Sequence, residues 1–152
     1  MKRLPLAAAL CLCACGSGDA PLVTSDQITA DAIPQPLISS PGDAASGALV
    51  ISDRGQGHCV LCHVVSDLSV EFQGNVGPDL SNVGKRLSPG QLRLRIVDYQ
   101  IVKPGTLMPS YYRTDNLYQV SETYIGDPVL SAQAVEDLVA YLSDLKVESD
   151  DP

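Results

Sequence analysis

The chain has 152 residues, enough for one modest domain with extensions, and a formal charge of −8. Such acidity argues against nucleic acid and anionic membrane surfaces as partners. With no Trp and one Phe among 152 residues, the core is poor in large aromatics and has room for a flat apolar group.

The chain opens with Lys2 and Arg3, followed by an apolar run from Leu4 to Ala14. That run is too short to span a bilayer but matches a secretory signal. Leu12-Cys13-Ala14-Cys15-Gly16 resembles a bacterial lipobox, so residues 1–15 are expected to be a signal, with either lipid attachment at Cys15 or simple cleavage before Pro21. Both routes predict a periplasmic protein, one of them tethered to a membrane. Residues 16–41 hold four prolines (Pro21, Pro34, Pro36 and Pro41) and predict an extended linker.

A domain is expected over 42–147, followed by an acidic tail at 148–152. Asp43 is positioned to cap a helix through Ala44, Ala45, Ala48, Leu49 and Ile51, with Gly47 allowing close approach of another helix. Ser88-Pro89-Gly90-Gln91 forms a capping box before a short helix bearing Leu92 and Ile96. Ser131 caps the last helix, Leu130 and Val135 form its hydrophobic staple, and Val135, Leu138, Val139, Leu142 and Leu145 recur on one face. No strand pattern is visible, so the fold class is all-α, with a long irregular loop from Tyr99 to Leu130.

Gly57-His58-Cys59-Val60-Leu61-Cys62-His63 carries the chemistry. With Cys11, Cys13 and Cys15 in the signal, Cys59 and Cys62 are the thiols left to the mature domain, and a two-residue spacer closes too small a loop for a structural disulfide to be worth much. A structural zinc site needs four ligands, usually from two separated pairs, and no second Cys or His pair exists elsewhere. A redox dithiol needs a βαβ setting and a helix N-terminus that depresses the first thiol's pKa. Haem attachment uses every residue: two thiols form thioethers on the porphyrin, and His63 follows as proximal iron ligand.

For the sixth position, Met108 is the only methionine after Met1, and it lies in a Pro-bounded loop, Gly105-Thr106-Leu107-Met108-Pro109, rather than on an apolar helical stripe. His58 is a rival that adjoins the attachment segment and would struggle to reach the opposite haem face. The Pro78 carbonyl, in Gly77-Pro78-Asp79-Leu80, is placed to accept a hydrogen bond from His63 Nδ1. Lys85, Arg86, Arg93, Arg95, Lys103 and Arg113 fall in a stretch with Asp98 as its acid, and this reads either as a docking patch for an acidic partner or as solvated cations beside haem propionates.

These blocks together resemble a class I c-type cytochrome, in which the first and last helices cross near the haem edge, so Gly47 should meet the Leu138 to Leu142 face. A narrower likeness rests on "GNVGPDLSNVGKRLSPGQLRLRIVDYQ", "MPSYYRTDNLYQV" and "YIGDPVLSAQAVEDLVAYLSDL". Over roughly residues 31 to 146 the chain is similar to the SoxX family, the monohaem subunits of thiosulfate-oxidising SoxXA complexes. A lipobox-like leader departs from the plain cleaved signal common there.

The resemblance implies one covalent haem c and a SoxA-type catalytic cytochrome partner, in a complex acting as an L-cysteine S-thiosulfotransferase. Thiosulfate would be joined oxidatively to a cysteine of the carrier SoxYZ, and this chain would pass the electrons to a soluble cytochrome c. Tyr111, Tyr112, Tyr118 and Tyr124 would then help form the partner interface or pack the haem pocket. A free-standing electron carrier and a gas-sensing haem protein, with Met108 displaced by ligand, are the alternatives.

Overall fold

A computed structural model describes residues 22–146; the signal, the lipobox and the acidic tail lie outside them. Among these residues four α-helices carry the fold: α1 Ala44–Ser52, α2 Val83–Arg86, α3 Pro89–Val102 and α4 Ala132–Asp144. Among the described residues there is no strand, and one isolated bridge joins Thr29 and Ala32. The class is all-α, as expected.

The ends of the helices are made as their sequences dictate. Asp43 accepts from the Ser46 N–H at 2.7 Å, and Ser131 from the Ala134 N–H at 3.1 Å, so each satisfies a donor the helix itself leaves open. Ser88 and Gln91 close the capping box on α3. Leu130 and Val135 are both buried, as a staple requires. The α3 helix is longer than the short one expected, and Asp98 interrupts it.

Helices α1 and α4 cross in close contact, and glycine makes that contact possible. A Cβ on Gly47 would lie 2.1 Å from the Asp137 carbonyl oxygen and 2.8 Å from the Tyr141 Cβ. The contact therefore falls on Asp137 and Tyr141, beside the Leu138 to Leu142 face rather than on it. Asp137 also accepts the Asp43 N–H at 2.8 Å, which ties the start of α1 to α4. Val50 and Ile51 turn inward to the core with Leu138 and Leu142, while Leu49 faces out.

The expected linker is not a free tether where it is described. Ile33 is 1% exposed, and Val23, Ile28 and Leu37 pack on the core beside it. Backbone pairing fixes this strap: the Ile33 N–H donates to Gly90 O at 3.0 Å, and Arg93 Nη1 donates to Ile33 O at 2.7 Å. Further along, the Leu37 N–H donates to Glu136 Oε1 at 2.9 Å. The prolines keep the strap extended, but its apolar residues and the acceptors it offers to Arg93 and Arg95 dock it.

The arginines of the basic stretch have partners within the fold. Arg93 pairs with Glu136, Arg95 with Asp31 and Arg113 with Asp98. Arg86 donates to Asn82 Oδ1 and to the Asp79 carbonyl. Arg93 and Arg95 thus reach acids from distant segments and Arg113 reaches Asp98 within the stretch, so these three guanidinium groups serve the fold, while Lys85, Arg86 and Lys103 stay exposed.

Candidate haem crevice

After α1 the chain makes one 3-10 turn, Cys59–Leu61, in which the N–H groups of Cys62 and His63 both donate to the Cys59 carbonyl. The turn sends Cys59 inward and leaves Cys62 exposed, and the two are not disulfide-bonded. Burial pushes the Cys59 thiol up to about 11. That is the wrong direction for a redox-active dithiol, which needs a stabilised thiolate. Nor do three or more His, Cys, Asp or Glu side chains converge anywhere among the described residues, as a structural zinc site would need.

His63 Nδ1 lies 2.7 Å from the Pro78 carbonyl oxygen. A carbonyl only accepts, so Nδ1 carries the proton and Nε2 keeps its lone pair for a metal. The Pro78 segment is held beside the turn by two backbone bonds, Gly77 N–H to Cys62 O at 2.7 Å and Leu80 N–H to Val64 O at 2.9 Å. A Cβ at Gly77 would sit 2.4 Å from His63 Cε1, so the ring lies directly on glycine backbone. The loop between is braced by Gln73, whose amide bonds both the N–H and the carbonyl of Val65.

One apolar crevice collects Cys59, His63 and Met108, with Ile51, Leu80 and Tyr111 among its walls. Met108, separated from His63 by 45 positions of sequence, thus lines the same cavity. His58 does not; it is exposed, with φ 53°, and precedes the 3-10 turn. The tyrosines divide: Tyr111 is buried in the crevice, where desolvation pushes its hydroxyl above the ordinary range, whereas Tyr118 is 94% exposed.

An imidazole with its outer nitrogen free, a thioether, unpaired thiols and aliphatic walls together match what a covalently attached haem requires. Gly77, Gln73 and Tyr111 support this site in ways that spacing does not reveal. Gly77 had a sequence signal only as the start of a turn.

The family model for cytochrome c matches residues 44–146. Among curated proteins none matches the chain. Among solved structures, the chain is similar to one in the crystal structure of SoxXA from P. pantotrophus, at 32% identity and a TM-score of 0.72. That match covers 77% of this chain and 91% of the other. The chain belongs to the cytochrome c family, as a SoxX-type monohaem member carrying covalently bound haem c.

Proposed function

We propose that this protein is the electron-transfer subunit of a SoxXA-type complex, seated beside a SoxA-type catalytic cytochrome in the periplasm. In the reaction, a carrier cysteine on SoxYZ and thiosulfate form a sulfur–sulfur bond, and two electrons leave. This chain takes them one at a time and hands them to a soluble cytochrome c. The complex as a whole is the enzyme, an L-cysteine S-thiosulfotransferase, and this chain contributes no bond-making residue.

The observation that carries the reading is the crevice that holds His63 and Met108 together. Cys59 and Cys62 would anchor the haem, His63 and Met108 would ligate its iron, and the Pro78 carbonyl would hold the imidazole in its metal-binding tautomer. The haem supplies a reversible one-electron couple, and a thioether ligand favours its ferrous form. With His63 and Met108 both engaged by the group, no open place would be left for a substrate, which suits electron transfer rather than gas sensing. The aliphatic walls and buried Tyr111 exclude water from the site.

Mass spectrometry and optical spectra of the exported protein test the cofactor: the expected product is red, heavier than its polypeptide by one haem, and slow to bind carbon monoxide. Lipid on Cys15 would add further mass. Copurification tests the partner. A chain that stays monomeric in the presence of a multihaem SoxA-type protein would overturn the subunit reading and leave a free-standing carrier.

A further inference from the structure

Helix α3 is broken at one residue. Asp98 has φ −159° and ψ 92° between helical neighbours, and its side chain is 4% exposed. A buried carboxylate is costly unless its oxygens are filled by donors. Here Oδ1 accepts the Ser110 hydroxyl at 2.6 Å and the Gln100 N–H at 3.1 Å, while Oδ2 accepts from Arg113 Nη1. Arg113 Nη2 continues to the Asn116 carbonyl at 3.1 Å. Just before the break, the carbonyls of Ile96 and Val97 accept the N–H groups of Tyr111 and Tyr112 at 3.2 and 3.3 Å.

Residues 110 to 113 are therefore bound, one after another, to a single turn of α3. They begin two positions after Met108, with Pro109 as a stiff link between. The other side of Met108 is looser: its N–H donates to Thr106 Oγ1, and Gly105 turns at φ 77° with nothing within 4 Å of the place a Cβ would occupy. The loop is clamped on one side of the methionine, and Asp98 is the group on which the clamp converges.

We infer that Asp98 is a positioning residue for the Met108 thioether, setting how firmly the iron's sixth ligand is held although Asp98 does not itself line the crevice. The inference rests on the reading of Met108 as that ligand. Ser110 and Arg113 transmit the effect, and a merely structural role would lower stability without changing ligand exchange.

The test uses ferric holoprotein and exogenous imidazole, which enters only when the thioether leaves, alongside the far-red sulfur-to-iron charge-transfer band. Asp98→Asn should bind imidazole about tenfold faster, the scale set by losing a charge-assisted buried partner, and its far-red band should weaken. Ser110→Ala should move both readouts in the same direction by less. Asp43→Ala, a remote helix-cap change, should lower stability and leave both readouts as in wild type.

Wild-type imidazole kinetics and an intact band in Asp98→Asn would overturn the inference, as would equal acceleration by Asp43→Ala. If Asp98→Asn does not fold, Ser110→Ala is judged by the same outcomes. Failure of the Met108 reading is recognised separately: wild type would itself lack the band and match Met108→Leu in imidazole binding, and the inference would fall with it.

Discussion

His63 donates its Nδ1 proton to the Pro78 carbonyl across 2.7 Å, and the imidazole rests on the bare backbone of Gly77. Fifteen residues of sequence separate donor and acceptor, yet this bond decides which ring nitrogen is left for iron. It orients the ring and raises the basicity of Nε2.

Gly77→Ala is therefore expected to disturb the proximal side. The new methyl would overlap the ring, and crowding of this kind costs about 1–3 kcal/mol. Haem content per polypeptide and the urea midpoint should both fall. Full haem incorporation with unchanged stability would mean that the ring can move aside freely.

Met108→Leu should leave haem attached through its thioethers while opening the sixth position. Leucine conserves volume, so the packing change alone should cost less than about 1.5 kcal/mol, and the lost ligand bond adds to it. The reduction potential should drop, the far-red band should vanish, and carbon monoxide should bind the ferrous form rapidly. An unaltered potential and spectrum would refute Met108 as ligand.

The Arg93–Glu136 pair is 2.7 Å apart, with both side chains 5% exposed. Glu136→Gln would leave the Arg93 charge buried without its counter-charge, a change that costs about 3–5 kcal/mol. The strap should loosen as well, because Glu136 also accepts from Leu37 N–H and Arg93 donates to Ile33 O. Urea unfolding reads the first effect and proteolysis between Ile28 and Leu37 the second. A loss below about 1 kcal/mol would put the pair on the scale of surface ion pairs.

Acid should destabilise the protein in a way traceable to particular carboxylates. The Ser46 N–H holds the Asp43 carboxyl below its ordinary value of 3.8, and the Gln91 side chain, followed by Arg95, does the same for Asp31. A depressed folded-state pKa means that the unfolded chain binds more protons. Stability contributed by these groups is complete above 3.8 and is lost as pH falls through their lower folded-state values. Unfolding followed from about pH 5 to pH 2 should show this decline, and Asp43→Asn with Asp31→Asn should flatten it. An identical slope in the double variant would assign the acid sensitivity elsewhere.

Much of this protein is local information. Side-chain caps at Asp43, Ser88 and Ser131 act on N–H groups three residues ahead, so the helix starts are visible in sequence. Thiols at Cys59 and Cys62 followed by His63 sit within one short segment, and that spacing, with no second Cys or His pair in the mature domain, points to their chemistry. Met108 stands out because its polar, Pro-bounded loop is a poor setting for a core residue. Asp98 was visible as the acid within a basic stretch, but nothing nearby marks Ser110 and Arg113 as the groups that fill its oxygens.

What the tertiary structure decided are pairings between distant positions. The basic stretch looked like a surface patch because its counter-charges, Asp31 and Glu136, lie far away in the chain. The proline-rich segment looked like a tether because its burial depends on an arginine contributed by α3. Sequence by itself determined the starts of α1, α3 and α4, the cysteine-bearing turn and the candidate axial ligands, since each depends on neighbours within a few residues. Folding decided the clamp on the Met108 loop, the docking of the strap and the glycine backbone under the His63 ring, because a buried charge or a ring is satisfied by whatever the fold brings against it.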